Sequence, residues 1–187
     1  MPATLPSSPA YPPAQLRPSI DADMDAIAAI YGHHVRHGTA SFETEPPDAA
    51  ELRRRRAAMT EAGFPYLVVE EASIIQGYAY AGPYRPRAAY RDTVENSVYL
   101  RPEAAGRGLG GLLLGALIDA CAAMGLRQMI AVVGDSANQP SICLHERLGF
   151  RRVGVLQAVG YKHGRWLDTV LLQRGLGPGD GAPPTRP

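Results

Sequence analysis

Two side chains that can move protons lie inside patterned segments of the sequence. Glu95 is part of TVENSVYL, and strand alternation places it on one face with Ser97 and Tyr99. His145 is part of the helical segment LHERLGF, and an imidazole with a pKa of about 6.5 can give or take a proton at neutral pH. The two residues are therefore candidates for a general base and a general acid. Each also has a simpler interpretation, as an exposed strand carboxylate or a solvated helix histidine.

A glycine-rich turn follows the Glu95 strand. Gly106, Gly108 and Gly110 alternate in VYLRPEAAGRGLG, directly before a leucine-rich helix. The first turn of a helix offers unpaired N–H groups and a favourable dipole to an anion, and glycines let a pyrophosphate come close. Arg107 adds a cation. The segment lacks the lysine of a P-loop and departs from GxGxxG, so it predicts another phosphate-binding turn or a helix start without a ligand.

A loop before the Glu95 strand, YRPRAAYR, combines cations with aromatic rings. Arg85 and Arg87 lie on either side of Pro86, and a guanidinium binds a carboxylate or phosphinate bidentately. Tyr90 would supply an aromatic wall. The alternative is a solvated loop whose arginines pair with neighbouring carboxylates, which is the interpretation we favour for Arg91.

Composition limits the classes of function. The chain of 187 residues fits one domain, and a formal net charge of +1 gives no global field for nucleic acid or an anionic membrane. No apolar run approaches the ~18 residues of a membrane span, and the Pro-rich start does not resemble a signal peptide, which predicts a cytoplasmic location. Residues 1–14 and 177–187 are predicted to be disordered tails around a folded domain, residues 15–176.

Several conspicuous residues do not indicate a site. Cys121 and Cys143 lack metal-ligand spacing and are predicted to be buried in helices. The arginine run 53–56 would fan around a helix and pair with nearby glutamates, so it cannot form one face for nucleic acid. His33 and His37 lack a third ligand, and the sequence therefore predicts no metal.

The elements that would position these residues follow from the spacing of apolar residues. Consecutive hairpins with a single β-α-β-α unit indicate an α/β protein with a mixed sheet, flanked by about four helices, and not a doubly wound one. The predicted strands are Gln15–Pro18, Tyr66–Glu71, 74–81, Thr93–Leu100, 129–133, 150–159 and 166–173, and the predicted helices begin near Asp21 and Asp48 and cover 109–124 and 139–148.

The glycine turn resembles the acetyl-CoA-binding motif of the GNAT N-acetyltransferase superfamily, in which a strand runs into a Q/R-x-x-G-x-G/A turn. This resemblance implies the GNAT fold, whose twisted, mostly antiparallel sheet is splayed at the acetyl-CoA site. Ala105 stands where the family prefers Gln or Arg, a departure that removes a side chain but no backbone N–H. The implied acetyl-CoA-binding residues are Val98, Tyr99, Leu100, Ala105, Gly106, Arg107, Gly108, Leu109, Gly110, Asn138 and Ser141.

Three separate segments resemble one GNAT branch, the phosphinothricin and methionine sulfoximine or sulfone acetyltransferases. They are AYAGPYRPRAAYRDTVENSVYL, SANQPSICLHERLGF and GYKHGRWLD. By this resemblance Glu95 is the general base, and His145 replaces the usual tyrosine that protonates the CoA thiolate. The implied substrate residues are Phe42, Arg85, Pro86, Arg87 and Tyr90, although Phe42 could equally be core. The turn at 161–163 is available to an active-site or a dimer surface, and the resemblance to the superfamily implies a homodimer in which this turn approaches the partner subunit.

The reaction implied by the resemblance moves the acetyl group of acetyl-CoA directly to the α-amino group of a small amino-acid analogue and releases CoA. Two alternatives stay open. The acceptor could be an ordinary amino acid or a protein N-terminus, whereas the arginine loop would repel a polyamine. The chain could also be a CoA-binding sensor without turnover, an interpretation that the presence of both Glu95 and His145 disfavours.

Overall fold

A computed structural model describes residues 12–184 of the chain and confirms the predicted mixed α/β architecture. Strands and helices follow the alternating and helical spacing of apolar residues, with ends that differ slightly from those predicted. The elements are β1 (Gln15–Pro18), α1 (Met24–His37), α2 (Ala49–Glu61), β2 (Tyr66–Glu71), β3 (Ile74–Pro83), β4 (Thr93–Leu100), α3 (Leu109–Ala123), β5 (Gln128–Gly134), α4 (Gln139–Arg147), β6 (Arg151–Lys162) and β7 (Arg165–Gly175).

The strands form one seven-stranded sheet in the order β1-β2-β3-β4-β5-β7-β6. Neighbouring strands are antiparallel except for β4 and β5, which are parallel. Their pairing ends where Asn96 lies opposite Ala131. Beyond that point β4 continues along β3 and β5 along β7, so the two strands diverge and the sheet opens between them. The splay implied by the resemblance is therefore present.

Apolar side chains cover both faces of the sheet. On one face α3 buries Leu113, Leu114 and Leu117 completely against β2, β3 and β4. On the other face α1 buries Met24 and Ile27. Fully burying one such side chain contributes about 1.5–3 kcal/mol. The strands β2 to β4, on one side of the opening, are thus packed between α1 and α3.

Capping follows the sequence in one helix and departs from it in another. Asp48 Oδ1 accepts the N–H of Glu51 at 2.7 Å, and α2 begins at Ala49, the residue after Asp48, as predicted. The prediction that α1 begins near Asp21 is wrong by one turn. A 3₁₀ turn, Asp21–Asp23, precedes α1. The carboxylate of Asp23 accepts the N–H of Ile20 at 2.8 Å and stabilises this turn.

The arginine run fans around α2 as predicted. Arg54 and Arg55 pair with Glu51, whereas Arg56 donates to Asp21. Arg54, Arg55 and Arg56 are therefore held by carboxylates in different directions and do not form one cationic face.

Burial of the cysteines was predicted correctly for Cys121 and wrongly for Cys143, which is exposed. In α4 the buried side chains are Ile142 and His145. Position 143 lies on the opposite side of this short helix and consequently faces solvent.

The predicted tails fall partly outside the described residues. Residues 1–11 and 185–187 lie outside them, and 12–14 are exposed. Residues 177–184 turn back toward the domain, where Arg127 Nε donates to the carbonyl of Gly179 at 3.0 Å. This part of the C-terminal segment therefore contacts the domain.

Candidate active site

A cleft lies where β4 and β5 diverge. Its walls comprise Ala40, Asn96, Val98, Tyr99, Ala131, Val132, Val133, Gly134, Asn138, Ser141 and His145. A second hollow of about 360 Å³ reaches from His34 to Pro140 and shares Ala40 and Asn138 with the cleft. Beyond Asn96 and Ala131 the facing backbone groups of β4 and β5 do not hydrogen-bond to each other. A ligand could therefore pair with these groups.

The glycine turn leads from β4 into the N-terminus of α3. Gly106 and Gly108 have left-handed φ angles of 75° and 84°, which favour glycine. A Cβ at either position would meet nothing within 4 Å in the described chain. The backbone of the turn therefore borders open space, as a phosphate-binding turn must.

Arg107 differs from its expected role as a cation facing the anion. Its Nη2 donates to both carboxylate oxygens of Glu71, at 2.7 and 2.6 Å, and both side chains are largely buried. The side chain thus joins the turn to the end of β2. What Arg107 presents to the open space is its backbone. Ala105 is exposed beside it.

Glu95 is half-buried on β4, next to a row of tyrosines on the neighbouring strand. Burial raises the pKa of its carboxyl group, and the positive charge of Arg85 opposes that rise. Tyr80 lies opposite Ser97 and is hydrogen-bonded to it. A carboxylate whose pKa is raised toward neutrality accepts a proton more readily than an exposed one.

His145 is buried on α4, at the inner end of the cleft. Its Nδ1 lies 2.7 Å from the carbonyl of Ser141, and its Nε2 lies 3.0 Å from Oδ1 of Asn96. Burial lowers the pKa of the imidazole, and the Ser141 carbonyl opposes this. The predicted cap of α4 is present, since Asn138 Oδ1 accepts the N–H of Ser141 at 3.4 Å.

The two candidate proton-transfer groups approach β4 from opposite faces. Glu95 and Asn96 are consecutive on the strand, so their side chains point to opposite sides of the sheet, and Asn96 contacts His145. A group that passes through the opening between β4 and β5 would therefore encounter Glu95 on one side and His145 on the other.

The arginine loop is exposed and lies near Glu95. The guanidinium of Arg85 lies 5.1 Å from the centre of the Tyr84 ring, which in turn packs edge-on against Tyr90. Pro86 and Arg87 are exposed beside them. The loop thus presents the cations and aromatic rings that were predicted, on the Glu95 side of the sheet.

Phe42 packs on the protein backbone and also keeps an exposed face. Its ring lies against the backbones of β5 and β6, where a Cβ at Gly134 or Gly160 would come within 2.8 or 2.3 Å of it. The side chain is nevertheless 38% exposed. The Phe42 ring therefore packs on the backbone of Gly134 and Gly160, and its other face is accessible.

The chain matches a known protein family over most of its length. Acetyltransferase (GNAT) domains match it over residues 16–171. The chain belongs to the GNAT family. The phosphinothricin N-acetyltransferase of Alcaligenes faecalis is 56% identical over 160 residues, which are 86% of this chain and 81% of that protein. The L-methionine sulfoximine/L-methionine sulfone acetyltransferase of Pseudomonas paraeruginosa is 42% identical over 171 residues, 91% of this chain and 99% of that protein.

A solved GNAT structure agrees with these relatives. The phosphinothricin acetyltransferase of Sinorhizobium meliloti, in complex with AcCoA, superposes with a TM-score of 0.90 at 47% identity, covering 92% of this chain and 94% of that one. The fold and the acetyl-CoA-dependent transferase class expected from the glycine turn are confirmed.

Three polar contacts of this GNAT domain were not predicted from the sequence. Asn96 bridges β4 to His145, His34 Nε2 donates to the carbonyl of Leu100 at 2.7 Å, and buried Lys162 donates to the carbonyl of Ser41 at 2.6 Å. For Asn96 a signal existed, because alternation places this polar side chain on the apolar face of its strand. The other two contacts join distant segments and leave no local pattern.

Residues 12–184 contain neither a cluster of metal-binding side chains nor a membrane-spanning helix. No group of three His, Cys, Asp or Glu side chains in that range could hold a metal ion. No helix in that same range is sufficiently long and apolar to cross a membrane.

Proposed function

We propose that the protein transfers the acetyl group of acetyl-CoA to the α-amino group of a small amino-acid analogue of the phosphinothricin, methionine sulfoximine or methionine sulfone type. The observation that carries this proposal is the position of the Arg85 loop beside half-buried Glu95. A guanidinium that binds the carboxylate or tetrahedral head of such a substrate holds its amine near the carboxylate. The names of the relatives point to the same substrate class.

Acetyl-CoA is proposed to lie in the opening of the sheet. The pyrophosphate would rest on the glycine turn, where no Cβ intervenes. The pantetheine amides would pair with the free edge of β4 beyond Asn96. The residues proposed to contact acetyl-CoA are Val98, Tyr99, Leu100, Ala105, Gly106, Arg107, Gly108, Leu109, Gly110, Asn138 and Ser141, with Arg107 acting through its backbone.

The proposed reaction is a direct transfer. Glu95 takes a proton from the substrate ammonium, and the free amine attacks the thioester carbonyl. The tetrahedral intermediate then gives one of its two N–H protons to solvent, keeps the other, and collapses, which breaks the C–S bond. His145 then gives its ring proton to the departing thiolate, so the products are the N-acetyl compound and CoA. We place this reaction in the cytoplasm, where acetyl-CoA is supplied.

The first test follows release of the CoA thiol with a panel of acceptors. Phosphinothricin, methionine sulfoximine and methionine sulfone are expected to give saturable release, and common amino acids, spermidine and an N-terminal peptide little. Arg85→Gln should raise KM for the preferred acceptor about 10–100-fold, because a charge-assisted hydrogen bond contributes about 1.5–3 kcal/mol.

The matched control is Arg91→Gln, since Arg91 lies in the same loop region, 3.6 Å from Asp92. The KM of Arg91→Gln for the preferred acceptor should stay at the wild-type value. Equal effects of the two variants would refute the assignment of Arg85. Release with ordinary amino acids or with the peptide in preference to the first three acceptors would replace the proposed substrate class.

We also propose that the protein is a homodimer, assembled through the edge strand β6. The observation behind this is that β6 exposes apolar side chains on both faces, including Val153, Val155 and Val159, with Trp166 of β7 beside them at 63% exposure. An exposed apolar edge strand is a template for association. A second copy of the same strand offers the same surface, as a two-fold interface requires.

Val155→Arg is expected to convert the dimer into a monomer, because it places a charge in the proposed interface. Light scattering coupled to size exclusion measures the mass directly. Ile74→Arg is the control, since Ile74 is equally apolar and exposed but lies at the β2–β3 turn. A monomeric wild type, or a dimer that survives Val155→Arg, would contradict the proposed interface.

A further inference from the structure

Asn96 occupies a particular place in the opened sheet. It is the last residue of β4 to lie opposite β5, and its side chain is 6% exposed. Its Nδ2 donates to the carbonyl of Ile130 at 3.1 Å. This bond determines which end of the amide faces α4, because exchanging the two ends would bring two oxygens together at Ile130. The amide oxygen therefore faces His145.

Both ring nitrogens of His145 face oxygens that accept hydrogen bonds. Nδ1 lies 2.7 Å from the carbonyl of Ser141, and Nε2 lies 3.0 Å from Oδ1 of Asn96. Each contact is attractive only if the nitrogen carries a hydrogen. A neutral imidazole carries one N–H and satisfies one of the two acceptors, whereas the imidazolium satisfies both.

We infer that Asn96 is a positioning residue for His145, whose side-chain carbonyl holds the ring with an N–H at Nε2, at the point where the sheet opens. This inference rests on the proposed role of His145 as the proton donor. When the ring gives that proton to the thiolate, an N–H bond breaks and an S–H bond forms. The bare Nε2 then faces an amide oxygen, and this unfavourable contact promotes uptake of a proton from solvent before the next turnover.

Besides Asn96, the ring of His145 contacts a backbone carbonyl and an aromatic ring. From α4 the ring meets the Ser141 carbonyl, and from the following segment the edge-on Phe150 ring at 5.0 Å. Glu146, the next residue on α4, is exposed and pairs with Arg152. Glu95 points to the opposite face of β4. Burial lowers the pKa of the imidazole and the Ser141 carbonyl opposes it, so an acceptor at Nε2 acts in the same direction as Ser141.

The test uses two substitutions with opposite expected effects. Asn96→Ala removes the acceptor and should lower the pKa of the His145 ring, whereas Asn96→Asp supplies a carboxylate and should raise it. NMR titration of the ring reports this directly, with His145→Gln identifying its signal. Asn96→Ala should also lower kcat about 10-fold or more, with KM for acetyl-CoA nearly unchanged, and should shift the alkaline limb of kcat to lower pH. Asn96→Asp should restore part of kcat and shift that limb to higher pH.

Gln173→Ala controls for loss of a structural amide, because Gln173 Nε2 donates to Gln128 at 2.9 Å within the same sheet, away from the cleft. It should leave kcat and the ring pKa unchanged. An unaltered ring pKa in both Asn96 variants would overturn the inference even if the acceptor panel confirms the acetyltransferase reaction. If His145→Gln keeps full activity, His145 is not the proton donor and Asn96 has no donor to position. The acceptor panel would still test the acetyltransferase reaction independently.

Discussion

Glu95→Gln is expected to lower kcat about 10²–10⁴-fold, the range that a general base contributes. Glutamine keeps the size of the side chain and most of its hydrogen bonding, but it cannot take a proton from the ammonium. KM for acetyl-CoA should change little, because the glycine turn lies at the far end of β4 from Glu95. Steady-state kinetics with the preferred acceptor measures both quantities.

The pH profile supplies a second signature of Glu95. Burial raises the pKa of this carboxyl group, and a base acts only when ionised, so activity should rise with pH through that raised value. This limb should vanish in Glu95→Gln. The folded protein binds the Glu95 proton more tightly than the unfolded chain does, which means that the ionised carboxylate destabilises the fold at neutral pH. The variant should therefore melt at the same temperature as the wild type or higher.

Glu103→Gln is the appropriate control, since Glu103 is exposed in the 3₁₀ turn after β4. It should retain full activity and the wild-type pH profile. If Glu95→Gln binds acetyl-CoA normally and turns over at the wild-type rate, Glu95 is not the base. If both the wild type and Glu95→Gln bind acetyl-CoA but neither turns it over, the chain is better described as a CoA-binding sensor.

Gly108→Ala is expected to weaken acetyl-CoA binding about 10–100-fold, equivalent to about 1.4–2.8 kcal/mol. The added methyl group would project into the space proposed for the pyrophosphate and hold it away from the N–H groups of α3. It would meet no atom of the described chain within 4 Å, so a clash within these residues cannot account for the loss. Calorimetric titration with CoA measures the dissociation constant.

The backbone strain of this substitution can be separated from its effect on the ligand. Gly63 has the same φ, 84°, and its Cβ would also meet nothing within 4 Å of the described residues. It lies between α2 and β2, outside the cleft. Gly63→Ala should lower the melting temperature about as much as Gly108→Ala does, because alanine at positive φ is strained in both, but it should leave CoA binding intact. Equal affinities of the two variants would argue against a pyrophosphate on this turn.

The local features of the fold could be predicted from the sequence because their causes are local. Asp48 caps α2 through a residue three positions away, and the glycine turn follows from backbone conformations at Gly106 and Gly108. Alternation in β4 placed Glu95 and Ser97 on one face. The resemblance supplied what periodicity could not, namely the mostly antiparallel sheet that splays between two of its strands.

The pairings that shape the site are non-local, and no periodic pattern announces them. The sequence predicts that Arg107 is a cation for a phosphate, but its side chain pairs with Glu71 of a distant strand. His145 meets Asn96 only because α4 crosses the opening of the sheet. Cys143 was misjudged for a related reason, since a helix as short as α4 shows too few turns to reveal which side is buried.

The opening between β4 and β5 also bears on the lifetime of the protein in the cell. A sheet that lacks hydrogen bonds along part of two central strands is incomplete until a ligand fills the gap, and a ligand that binds only the folded form stabilises it, by about 2.7 kcal/mol at a hundred times its dissociation constant. Proteases act on opened states, whose population falls with each such increment. If acetyl-CoA fills the opening as proposed, a fall in its supply would leave more of the chain exposed to proteolysis, and the cell would lose the enzyme together with its acetyl donor.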